Sequence, residues 1–123
     1  MGKIISAADA KTLNDAYDSR HTLISNDIVK QADNRSVWYS ITELESFIAS
    51  AKAQASSNNY TLDGMRVYMA AYSDAGGNVP YTTSFIAPTG TENVAGASSQ
   101  DIPGADALNE GGMGVPPDAG YPQ

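Results

Sequence analysis

The sequence predicts a small α+β domain, in the order helix, strand, helix, strand, strand, with the helices packed on one face of a small twisted sheet. Three observations predict it. Ser40-Ile41-Thr42-Glu43 stands between Trp38-Tyr39 and an apolar stripe at helical spacing. A serine at the N-cap and a glutamate at the third helical position can satisfy each other's free backbone N–H groups, while Tyr39 and Leu44 can close as a hydrophobic staple. Met65 to Tyr72 then sends alternate residues to opposite faces, as a strand does. After it, Asp74, Gly76-Gly77 and Asn78 make a loop suited to an antiparallel return over Tyr81 to Ala87.

The first helix is expected from Ala7 to Arg20, with Ser6 as its N-cap and Asp9 three residues on. Its stripe of Ala10, Leu13 and Tyr17 is thin, which places it at a surface. From Thr22 to Arg35 the turn-prone Ser25-Asn26-Asp27 separates Leu23-Ile24 from Ile28-Val29, so a connector with one helical turn after Asp27 is expected. Ser36 to Tyr39 has the β-branched and aromatic content of a short strand. The second helix, Ile41 to Ser56, repeats apolar residues at Ile41, Leu44, Ile48, Ala51 and Ala55, with Phe47 widening the stripe.

Asp63-Gly64 reads as a turn before the strand Met65 to Tyr72. Both faces of that strand are largely apolar, which suits a central position in the sheet, paired in parallel with the short strand through the second helix. The return strand is expected to stop at Pro88, because proline cannot donate to a ladder. Residues 1–90 thus make the α+β domain. Residues 91–123 make an acidic tail with six glycines and four prolines. Too poor in apolar residues for a core of its own, the tail is expected to pack on the domain or on a neighbour through Ile102, Leu108, Val115 and Pro116-Pro117.

With 123 residues the chain fits one modest core. Of its net charge of −7, the tail carries −5 and residues 1–90 carry −2. Without a basic stripe to displace counterions from phosphates, a nucleic-acid partner is not expected. Cysteine is absent, which removes disulfides, thiolate metal sites and a cysteine nucleophile and suits a reducing compartment. No window approaches the roughly 20 apolar residues of a membrane span, so the expectation is a soluble, cytoplasmic protein with no membrane partner. Met1-Gly2 with Ser6 matches the myristoylation pattern, and Asn34-Arg35-Ser36 and Asn59-Tyr60-Thr61 match the glycosylation pattern; patterns so short arise often by chance.

Catalytic constellations are sparse. His21, the single histidine, is read as a residue suited to a helix C-terminus rather than as a base. Asn59, Thr61, Asp63 and Gly64 mimic the start of a calcium loop, but the bidentate glutamate that such a loop requires is replaced by Ala70. Glu43 and Glu45 face different directions on a helix, and Gly111-Gly112-Met113-Gly114 lacks the flanking strand and helix of a phosphate cradle. No metal, cofactor or catalytic residue is therefore assigned. Arg66 is the most unusual placement, a fixed charge in the most apolar strand. It is expected to pair with Asp63 or a tail acid, or else to form a recognition patch with Tyr68 and Tyr72.

Asn34 to Ser40 with Leu44 and Phe47-Ile48, then Asp63 to Tyr68 with Tyr72, then Thr82-Thr83 to Pro88-Thr89, resemble a family of short uncharacterised bacterial proteins. The family pattern joins a serine-valine-tryptophan segment and a helix to a strand reading glycine, aliphatic, arginine, aliphatic, tyrosine, and often ends in paired prolines, as at Pro116-Pro117. Met69-Ala70 departs from it, standing where the pattern has an aromatic-glycine pair. The resemblance implies no activity, cofactor or catalytic residue, but it marks Trp38 and Arg66 as placed rather than incidental. The expectation is a non-enzymatic protein-binding or assembly module, with a protein partner or self-association through Trp38, Arg66, Tyr68 and Tyr72. The alternative is a small enzyme using Arg66 with a tyrosine and a carboxylate.

Overall fold

The computed structural model describes residues 2–72, 79–109, 112–113 and 120–122. The fold is α+β, with two α-helices and an open antiparallel sheet. The chain divides into two compact units, one of residues 1–37, 71–83 and 113–123, the other of residues 38–70 and 84–112.

In the first unit, α1 spans Ala7–Leu23. Ser6 caps it, its hydroxyl accepting from the Asp9 N–H at 3.1 Å. The inner face is Ala10, Asn14, Tyr17 and His21, whereas Leu13, expected on that face, is 66 % exposed. Arg35 explains the polar stripe. Its guanidinium lies 5.4 Å from the Tyr17 ring centroid, donates to the Asn14 carbonyl and side-chain oxygens at 2.8 and 3.0 Å, and pairs with Asp18 at 2.8 Å. Asn14 also accepts the Tyr121 N–H at 3.1 Å, which ties the last described residues to α1.

The helix does not yield to a connector at Thr22. It runs on and widens into a π-helical turn, Ile24–Val29, ended by Lys30 in the left-handed region at φ 68°. Ser25, expected to break the helix, is instead buried and accepts the Asp33 N–H at 3.0 Å, so a tertiary bond absorbs its preference for turns.

In the second unit, α2 spans Ile41–Ser57 and starts where its sequence places it. Ser40 accepts the Glu43 N–H at 2.9 Å and donates its hydroxyl proton to the Glu43 carboxylate at 3.1 Å, so the capping pair closes side chain to side chain. Ala51 and Ala55 are buried, while Ile41 is 69 % exposed and drops out of the expected stripe. Asn58 closes the end of α2, and Asn59 follows in the left-handed conformation at φ 64°.

Among the described residues there are six strands: β1 (Val37–Trp38), β2 (Tyr60–Ala71), β3 (Thr82–Glu92), β4 (Ser99–Asp101), β5 (Leu108–Asn109) and β6 (Gly112–Met113). Three expectations are corrected here. The short strand β1 pairs with β6, not with β2. The strand order β2-β3-β4, with β5 also on β3, puts β3 at the centre and β2 at an edge, and accordingly Val67 and Met69 are 57 % and 82 % exposed. Finally, β3 runs through Pro88 to Glu92. Pro88 accepts the Ile102 N–H at 3.2 Å. The N–H and C=O of a strand residue point the same way, so the missing donor faces the connection from Ile102 to Leu108 and costs no ladder bond.

Past Gly90 the chain stays in the sheet. Thr89, Gly90 and Thr91 pair antiparallel with Asp101, Gln100 and Ser99, and Phe85 and Ile86 pair with Asn109 and Leu108. Ile102 is buried against Gly90, where a Cβ would stand 3.0 Å from the isoleucine and 2.7 Å from the Thr61 carbonyl. Gln54 of α2 accepts the Asp106 N–H at 3.0 Å, fastening the connection to the helix. Val115 and Pro116-Pro117, and the expected hairpin loop at 73–78, lie outside the described residues. The Tyr72 N–H donates to the Tyr81 carbonyl at 3.1 Å across that hairpin.

Candidate functional site: an arginine, tyrosine and aspartate on the sheet

Asp63-Gly64, expected to be a turn, lies inside β2. The Asp63 carboxylate accepts the Thr89 hydroxyl at 2.7 Å and the Thr91 hydroxyl at 3.1 Å. A Cβ on Gly64 would stand 3.0 Å from the same Thr89 hydroxyl oxygen. Two consecutive residues of β2 thus face one residue of β3, the arrangement of a β-bulge, and a side chain on the second would press on the Thr89 hydroxyl. The bulge shifts the alternation beyond it. Arg66 and Tyr68 come to the face that carries Asp63, Thr89 and Asp101, and Val67 and Met69 share the other.

On that face Tyr68 stacks on Phe85, ring centroids 5.0 Å apart, and donates its phenol proton to Asp101 Oδ2. The Arg66 guanidinium lies 3.7 Å from Asp101 Oδ1, an oxygen shielded from solvent that accepts no hydrogen bond among the described residues. The arginine pairs with a tail acid, one of the two partners that the sequence offered, although both side chains stay about half exposed. Hydrogen bonding to Tyr68, and then the charge of Asp101, push the guanidinium pKa up, so the positive charge is fixed. Asp63 moves the other way. The hydroxyls of Thr89, Ser99 and Thr91 hold its carboxyl below the ordinary carboxylate value, against a smaller upward push from desolvation.

Of the four residues singled out in the sequence, the structure brings Arg66 and Tyr68 together. Trp38, on β1, is 65 % exposed. Tyr72 belongs to the other unit. Phe85 and Asp101 complete the cluster and were missed as site residues, because a lone phenylalanine before a proline and an aspartate in a polar tail carry no local pattern.

A second polar cluster lies in the first unit, where His21, Ser25, Asp33 and Asn34 are buried, with Asp33 fully enclosed. The Asp33 carboxylate accepts the Thr82 N–H at 2.8 Å and the Thr82 hydroxyl. Asn34 donates to the Thr82 carbonyl at 3.1 Å. His21 Nε2 sits 2.7 Å from the Asp33 carbonyl and 3.5 Å from Ser25 Oγ. A carbonyl only accepts, so Nε2 carries the proton and cannot take one from Ser25. Serine, histidine and aspartate meet here without the polarity of a nucleophile and its base, and what they build is a knot joining α1, the loop at Asp33 and the start of β3. His21 stands in the last turn of α1, where the sequence placed it, and is buried there.

Among the described residues, no group of three or more His, Cys, Asp or Glu side chains is placed to hold a metal ion, and no helix is long and apolar enough to cross a membrane. Comparison with protein-family models, with curated proteins and with solved structures returns no match.

Proposed function

We propose that this chain is a non-enzymatic protein-binding or assembly module, acting in the cytoplasm. The observation that carries the reading is β2: an edge strand among the described residues, whose side chains Val67 and Met69 point to one face and are 57 % and 82 % exposed. Apolar side chains beside an unpaired strand edge are what folded proteins ordinarily shield, and a partner is one way to shield them. The exposed Trp38 adds an aromatic anchor of the kind that dominates interface energetics.

The test is capture of partners from the native cell with the wild-type chain and with a Val67→Thr/Met69→Thr variant, alongside sedimentation of both. The expected result is a partner, or a self-associated species, that the variant loses while its melting temperature holds. Identical captured proteins and identical mass for both chains would count against the reading.

A second reading is supported by the convergence of Arg66, Tyr68 and Asp101: a small enzyme or anion-binding site in which the arginine holds a carboxylate or phosphate. Against it stands the commitment of the phenol and the carboxylate to one another on an open face. Calorimetric titration with small carboxylates and phosphates decides the matter; this reading requires binding that Arg66→Ala abolishes.

A further inference from the structure

We propose that Asn14 and Arg35 form a binding site for an extended glycine-tyrosine segment, with the chain's own residues 120–122 as a resident ligand that seats and releases as a latch. The inference stands apart from the protein-binding reading above. The site begins with Arg35, whose side chain is only 7 % exposed. Asp18, the Asn14 carbonyl and the Tyr17 ring hold its guanidinium in place. A further contact, from Nη2 to the Asn14 side chain at 3.0 Å, sets the amide: a guanidinium only donates, so the atom it meets is the oxygen.

With the amide so turned, both its ends meet the main chain of one residue. Asn14 Oδ1 accepts the Tyr121 N–H at 3.1 Å, and Nδ2 lies 3.5 Å from the Tyr121 carbonyl while also facing Asp15 at 3.3 Å. This is the pairing a neighbouring strand would make, and it reads backbone rather than side chain. Sequence enters one residue earlier. A Cβ on Gly120 would stand 3.2 Å from Asn14 Nδ2, 3.4 Å from Oδ1 and 3.5 Å from Arg35 Cζ, and Arg35 keeps the amide from yielding. Against these contacts, Tyr121 stays 43 % exposed and Pro122 is exposed. Two hydrogen bonds at a surface gain roughly what ordering three residues loses, so the seated and released states lie close in free energy. The tether holds the segment at an effective concentration of about millimolar, which is what lets so weak a site fill.

The test follows the isotopically labelled full chain by NMR. In wild type the Tyr121 amide is expected to show exchange broadening and weak protection, and the Asn14 side-chain amide to be shifted from its position in Gly120→Val, which cannot seat. Both chains are expected to melt at the same temperature. The free peptide Ala-Gly-Tyr-Pro-Gln, at about 10 mM, is expected to return the Asn14 signals of Gly120→Val toward wild type, whereas a peptide with valine for glycine leaves them in place. Asn14→Ala, unable to pair, is expected to leave the Tyr121 amide sharp and unprotected. Asn14 signals indistinguishable in wild type and Gly120→Val would show that the segment does not seat there. A Tyr121 amide protected as long as those of α1 would make it a fixed part of the fold, and no response to the glycine peptide, or an equal response to both peptides, would remove the binding site. Any of these results overturns the proposal.

Discussion

Asp33 spends every polar group it has inside the protein: its N–H goes to Ser25, its carbonyl accepts from His21, and its carboxylate accepts twice from Thr82. Truncation would take from the half-buried Thr82 N–H the partner that the fully enclosed Asp33 carboxylate supplies. Asp33→Ala is expected to destabilise the protein by about 2–3 kcal/mol in urea melts. Asp33→Asn is expected to cost less, since an amide can still accept from the N–H and donate to the threonine hydroxyl. Asp63 gives a residue-scale effect of pH. Its carboxyl is held below its ordinary value in the fold, so its stabilisation is complete above about pH 4, the unfolded value, and is lost as pH falls through the depressed one. Asp63→Asn is expected to flatten the acid limb of melting temperature against pH relative to wild type. Parallel curves for the two chains would show that the three hydroxyls are not coupled to its ionisation.

Elements with local causes were legible. α2 needed only its cap and its period, both written within seventeen residues, and it starts at Ile41 as expected. Its dependence on the cap is testable: Ser40→Ala is expected to lower stability by about 1 kcal/mol, read from the urea midpoint. Elements with distant causes were not legible. Pro88 reads as a stop unless the partner strand is known to ask it only for an acceptor, and Ser25 reads as a breaker unless Asp33 is there to use its hydroxyl. Asp63-Gly64 is the sharpest instance, because the residues that suit a turn also suit a bulge, and only Thr89, across the sheet, separates the two. The site was legible to the same degree: Arg66 and Tyr68 stood out as residues, but the carboxylate that joins them arrives from β4, whose Ser-Gln-Asp sequence has no apolar alternation.

For the whole molecule, the region after Gly90 belongs to the sheet as far as Asn109. A segment rich in glycine and proline, with few apolar residues, need not be a loose appendage if it can add backbone to an existing sheet, and residues Ser99 to Asn109 do so on β3. A chain ending at Gly90 would leave the central strand with an open edge and remove Ile102 from its place on Gly90. It is expected to melt at a markedly lower temperature and to self-associate by light scattering; an unchanged melt in a monomeric protein would show that β4 and β5 contribute nothing to stability.

The bulge has a consequence for how this protein can change over generations. A strand keeps count of its residues in steps of two, and Gly64 is the odd one out. Losing that codon would leave Asp63 alone opposite Thr89 and restore an uninterrupted alternation, with Arg66 and Tyr68 still on the face that carries Asp101. A one-residue deletion at the bulge is absorbed there, whereas deletion of Val67 would make Arg66 and Tyr68 neighbours and send them to opposite faces.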